Sequence, residues 1–195
     1  LGADGVGLYR TEFLFMNRDA APTEDEQYEA YVEVLRIMQG KPVIIRTLDV
    51  GGDKGIPYLK LPGEENPFLG YRGIRICLQE KALFMTQLRA VLRAGVHGRA
   101  LIMYPMIASL EELREANRIL QEAKESLDNE GVSFDAGLQG GIMVEIPAAA
   151  VMADLRTRDA RLTGREHWGE PVRSTVGSRE GFASSSVGSL SLHRQ

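Results

Sequence analysis

Residues 40–49 read Gly-Lys-Pro-Val-Ile-Ile-Arg-Thr-Leu-Asp, and their centre, Val43-Ile44-Ile45, is an unbroken β-branched run. Such runs suit the central strands of parallel sheets, which are buried on both faces. The run ends in a charge, Arg46. Before it, Gly40 closes a helix whose start is equally marked. Pro22 and Thr23 precede Glu26, so the Thr23 hydroxyl and the Glu26 carboxylate can satisfy each other's backbone donors as a capping box. Tyr28, Tyr31, Val32, Leu35 and Met38 then fall on one helical face, and the two tyrosines are read as packing rather than a ligand platform. Upstream again, Gly5 to Tyr9 (GVGLY) predicts a short buried strand ended by Arg10 and Glu12.

Beyond Arg46 lies a loop rich in breakers, from Gly51-Gly52-Asp53-Lys54 through Pro57, Pro62 and Gly63 to Asn66-Pro67-Phe68-Leu69-Gly70. Its length favours a binding role over a simple turn. A helix is predicted over 82–94, with Leu83, Phe84, Leu88, Val91 and Leu92 before Gly95, and a strand over 101–104, closed by Pro105. Ser109 and Glu112 form a second capping box, opening a helix with Leu113, Ala116 and Leu120 inward. Ile142-Met143-Val144 reads as a fourth strand, ended by Glu145 and Pro147, and Ala148 to Leu155 as the start of another helix. Strands alternating with helices imply right-handed parallel crossovers, hence an α/β sheet or barrel.

The composition, 44% hydrophobic and 26% charged over 195 residues, is that of an ordinary globular chain. The length falls short of the roughly 250 residues of a closed eight-stranded β/α barrel. A net charge of -4 carries no nucleic-acid footprint, so no such partner is expected. The single cysteine, Cys77, can form no internal disulfide and fits a reducing cytoplasm. No run of about 20 apolar residues encodes a membrane span. The first residues carry neither an initiator methionine nor a signal-peptide pattern, so the chain is expected to begin inside a domain. Two segments are expected: an α/β domain over 1–155, and a tail over 156–195 that does not fold natively. That tail holds seven arginines, no lysine and no strand or helix periodicity, and is read as an aberrant, frame-shifted coding end or a disordered tail.

In parallel β/α architectures the ligand lies at the carboxyl ends of the strands. Three predicted strands end there in a charge: Arg10, Arg46 and Glu145. Arginine forks match phosphate and carboxylate oxygens, so two of them can clamp a small anion. Glu145 would be repelled by that anion unless a divalent cation intervened, and hard oxygen ligands favour Mg2+ or Mn2+. The competing reading is plain rim pairing, Arg10 with Glu12 or Arg46 with Asp49.

At these same residues the chain resembles enzyme I of the bacterial sugar phosphotransferase system, phosphoenolpyruvate-protein phosphotransferase. Gly5-Val6-Gly7-Leu8-Tyr9-Arg10-Thr11-Glu12-Phe13-Leu14-Phe15 is similar to the family's GVGLYRTEFLF segment, and Ile45 to Lys54 to its second arginine motif. Glu65 to Arg72, Tyr104-Pro105-Met106-Ile107 and Met143 to Ala150 are similar to three further segments, in order, over residues 1 to about 155. The resemblance implies a partial (β/α)8 TIM barrel of the PEP-utilising enzymes, about half of it present. It implies that Arg10 and Arg46 bind the phosphoryl group of phosphoenolpyruvate, that Arg72 and Lys54 lie near it, and that Glu145 ligates Mg2+. It implies, too, that the parent enzyme passes the group to a histidine on a separate domain and on to the phosphocarrier protein HPr, and dimerises through this barrel in the cytoplasm.

Against the family pattern, the acceptor-histidine domain, the first strand and the sixth to eighth strands have no counterpart. Cys77 is read as packing, not as the family's acid cysteine, and His97, His167 and His193 as ordinary solvated side chains. The chain alone is therefore expected to be inactive. The alternatives are a non-catalytic half-barrel that associates with another chain, or a domain of the related pyruvate phosphate dikinase and phosphoenolpyruvate synthase.

Overall fold

The computed structural model describes residues 2–51, 56, 58–59 and 70–151. These fall within the first of two units of the chain, 1–164; the second, 165–195, and the whole of the predicted tail, 156–195, lie outside the described residues. Four strands, β1 (Val6–Arg10), β2 (Val43–Arg46), β3 (Ala100–Tyr104) and β4 (Gly140–Ile142), form one parallel sheet in the order β1-β2-β3-β4. Each new strand joins on the same side of the last, with no reversal of order. Right-handed crossovers then deliver the connecting helices to one face.

That face carries α2 (Glu24–Met38), α4 (Lys81–Ala94) and α5 (Leu110–Asn129). Tyr31 and Leu35 of α2, Phe84, Leu88 and Val91 of α4, and Ala116, Ile119 and Ala123 of α5 are buried in one cluster with Val43, Ile45, Ile102 and Tyr104 of the strands. The opposite face is less covered: Ile44, Leu101 and Met103 are only half-buried. This corrects the expectation that the β2 run is buried on both sides. A β-branched run reports strand propensity, whereas the layer on its second face comes from elsewhere.

Both capping boxes are present, at Thr23 with Glu26 and at Ser109 with Glu112. Two short helices were not foreseen: α1 (Glu12–Phe15) follows β1 directly, and α3 (Ile74–Gln79) precedes α4. Neither spans two turns, too few for a 3.6-residue period to register. The last described helix, α6, is Pro147–Val151. Strand β4 also begins earlier than its apolar residues suggest, because Gly140 and Gly141 already pair with β3. A Cβ at Gly140 would come within 2.4 Å of the Tyr104 hydroxyl, so only glycine lets the strand lie this close.

Across the outer surface, Arg89 and Arg93 of α4 join the helix layer. Both pair with Glu24 at the start of α2, and Arg89 also with Glu130 just beyond α5. Arg93 stands over the Tyr28 ring, whose hydroxyl lies 2.8 Å from His97 Nε2. His97 is thus half-buried and bonded rather than simply solvated, because the turn that carries it packs onto α2. Among the described residues, no helix is long and apolar enough to cross a membrane.

Candidate active site

The parallel order brings all four strand tips to one end of the sheet. Arg10 and Arg46 are direct register partners there, with Cα atoms about 4.8 Å apart, the spacing of neighbouring strands. Arg46 in turn faces Met103, and Tyr104 faces Ile142, so Glu145 follows the tip of β4 on the same rim. The link between these last two tips is explicit: the Met106 N–H donates to Glu145 Oε1 at 2.7 Å. Glu145 is otherwise exposed, and its second oxygen makes no hydrogen bond among the described residues.

The two arginines differ sharply. Arg10 is exposed and has no hydrogen bond or ion pair among the described residues. Arg46 is buried, with one terminal nitrogen donating to Glu12 and the other to the Met143 sulfur at 3.7 Å, while the latter also forms an ion pair with Asp49 Oδ2 at 3.1 Å. Its Nε and Glu12 Oε2 are buried without a partner. Asp49 also receives Arg72 in a bidentate pair, Nε at 2.9 Å and a terminal nitrogen at 3.0 Å. The rim pairing raised from the sequence is therefore real for Arg46 with Asp49. The Glu12 carboxylate, however, goes to Arg46 and not to Arg10. Lys54 lies outside the described residues.

The loop that returns Arg72 to the rim depends on Gly73. Its φ is +58°, and a Cβ there would meet the Met106 side chain at 2.9 Å and Asp49 Oδ1 at 3.2 Å. Cys77, one turn on, is fully buried, and its sulfur donates to the Leu48 carbonyl at 3.5 Å. Burial, and secondly the charge of Asp49, push its thiol well up, so it stays a protonated packing group.

Chemically, two buried carboxylates neutralise Arg46 and Arg72, while Arg10 and Glu145 stand exposed on the rim among the described residues. Such a rim offers a positive group to an anion and a carboxylate to a cation. Among the described residues, no group of three or more histidine, cysteine, aspartate or glutamate side chains is placed to hold a metal alone. Glu145 still fits Mg2+, which commonly takes one or two carboxylates and completes its shell with substrate phosphate oxygens and water. The sequence pairs Arg46 with Asp49, as the structure does, but assigns Glu12 to Arg10 rather than to Arg46. The signal was spacing, an acid two residues after Arg10 and three after Arg46.

The family profile described as PEP-utilising enzyme, PEP-binding domain matches residues 1–161. Over 153 residues, 78% of this chain, the sequence is 62% identical to phosphoenolpyruvate-protein phosphotransferases from Bacillus sp. (strain S) and Geobacillus stearothermophilus. Over 158 residues, 81% of the chain, it is 58% identical to the protein of that name from Staphylococcus aureus (strain MSSA476). The matched region is 26% of the first two relatives and 28% of the third, so the chain spans about a quarter of the curated relatives it matches.

Proposed function

Because the chain belongs to the PEP-utilising enzymes, matched through their PEP-binding domain, we propose that its strand tips bind phosphoenolpyruvate as part of a phosphoenolpyruvate-protein phosphotransferase. The observation that carries this is the pairing of an exposed Arg10, whose side chain has no partner among the described residues, with the buried Arg46 on adjacent tips, on the rim that also holds Glu145. Arg10 would meet the phosphoryl oxygens directly. Arg46, fixed by Glu12 and Asp49, would add a preorganised positive group behind them. Arg72, paired with Asp49, would stand beside them, and the resemblance adds Lys54 to the same binding set.

Mg2+ would sit at the free oxygen of Glu145 together with substrate oxygens, where it would offset negative charge on the transferring phosphoryl group. Departure of that group to a histidine acceptor leaves the enolate of pyruvate, and delivery onward to HPr completes the family reaction in sugar uptake. The unreversed strand order and helices on a single face support a partial (β/α)8 barrel, whose half-covered face, with Ile44, Leu101 and Met103, becomes barrel interior. A cytoplasmic location and a homodimer through this domain belong to the same proposal.

Calorimetric titration with phosphoenolpyruvate and Mg2+ tests it. Hydrogen bonds to charged groups contribute about 1.5–3 kcal/mol, so Arg10→Met should weaken binding about ten- to a hundredfold with little change in melting temperature. Unchanged affinity in Arg10→Met and Arg46→Met together would remove the site from these strand tips.

A further inference from the structure

Helix α4 buries an apolar face of Phe84, Leu88, Val91 and Leu92, yet Gln87 is fully buried among them. A buried primary amide is costly unless its acceptor and both donors are matched. Here all are. Gln87 Oε1 accepts from the Leu48 N–H at 2.9 Å, while Nε2 donates to Thr11 Oγ1 at 3.2 Å and to Tyr31 Oη at 3.3 Å. Each hydroxyl hands its own proton on. Thr11 donates to the Arg46 carbonyl at 2.9 Å, and Tyr31 to Gln27 Oε1 at 3.2 Å.

These contacts fall on both sides of the arginine cluster. Thr11 stands between Arg10 and Glu12, and Leu48 immediately precedes Asp49. One amide therefore holds, a residue away, both carboxylates that grip Arg46, and through Thr11 it also engages the Arg46 carbonyl. We propose that Gln87 is a positioning residue that sets how the two arginine-bearing strand tips meet, an inference that rests on the phosphoenolpyruvate-binding reading above.

Affinity for phosphoenolpyruvate with Mg2+, measured by calorimetry beside the melting temperature, separates positioning from packing. Misplacing a binding group by about 1 Å can cost about a hundredfold, so Gln87→Met should bind about tenfold more weakly or worse well below its melting point. Leu92→Ala, a buried change toward the far end of α4, should lower the melting temperature and leave affinity intact. Gln87→Glu adds a readout independent of any unfolding of Gln87→Met. Burial favours the neutral carboxylic acid, which can still accept from Leu48 and donate to Thr11. Its affinity relative to the parent should therefore approach parity at low pH and fall as pH rises. Parental affinity in Gln87→Met, an equal loss in Leu92→Ala, or a pH-independent ratio for Gln87→Glu would each overturn the inference. Unchanged binding in the Arg10 and Arg46 variants would instead overturn the reading beneath it.

Discussion

Arg46 is held by Asp49, a buried carboxylate that forms an ion pair with Arg46 and accepts a bidentate pair of hydrogen bonds from Arg72. Removing one partner of a buried ion pair leaves an uncompensated charge, which costs about 3–5 kcal/mol. Asp49→Ala should thus lower the urea-unfolding free energy by that order and abolish phosphoenolpyruvate binding. A loss under about 1 kcal/mol, as for exposed pairs, would mean that water enters the cluster. At this scale the sequence was legible where a charge ends an apolar run, as at Arg10 and Arg46, which close β1 and β2, whereas Glu145 follows the end of β4 by three residues. It was not legible for Glu12 or Gln87. Glu12 belongs to a one-turn helix with no period to read, and Gln87 occupies a position where the helical repeat calls for an apolar side chain.

The elements themselves are pinned at their starts. Thr23 Oγ1 accepts from the Glu26 N–H at 3.2 Å, the Thr23 N–H donates to Glu26 Oε2 at 2.8 Å, and Arg18 donates to Glu26 Oε1 at 2.5 Å. Losing an N-cap hydroxyl costs about 1 kcal/mol, so Thr23→Ala should reduce stability by about that much in chemical denaturation. The Arg18 hydrogen bond, and next the Thr23 backbone, hold the Glu26 carboxyl down at about 2, below its ordinary value of 4.5. A depressed carboxyl stabilises the fold above its unfolded value, so this contribution is full above pH 4.5 and is lost as pH falls toward 2. In Arg18→Met the loss of stability on acidification should be smaller in melts taken across that range, because the folded-state value rises back towards the unfolded one; identical pH profiles would show that the pair does not couple to folding. Both capping boxes were visible in the sequence because their spacing is local. The early start of β4 was not, because it depends on the Tyr104 ring from another strand.

For the whole molecule, the decisive geometry is which end of the sheet each group occupies. Arg10, Arg46 and Glu145 gather at the carboxyl tips. His97, the histidine among the described residues, lies just before β3 begins and therefore at the opposite end, bonded to Tyr28. A parallel strand of five residues is roughly 16 Å long at about 3.3 Å per residue, far beyond the reach of in-line transfer between bonded atoms. Phosphoryl transfer from the strand tips to His97 is thus opposed by direction as well as distance. The strand order could be anticipated from the alternation of elements, but this separation could not, because it depends on where the turn carrying His97 packs. The 195-residue chain with phosphoenolpyruvate, Mg2+ and HPr should accordingly release no pyruvate above background, even where calorimetry shows binding. Pyruvate formation that Arg10→Met abolishes would place an acceptor within these 195 residues and refute the separation of binding from transfer. If instead pyruvate appears only when a histidine-bearing partner domain is added, the cleft at the strand tips must be reached from outside these elements, through the rim that leaves Arg10 and Glu145 exposed.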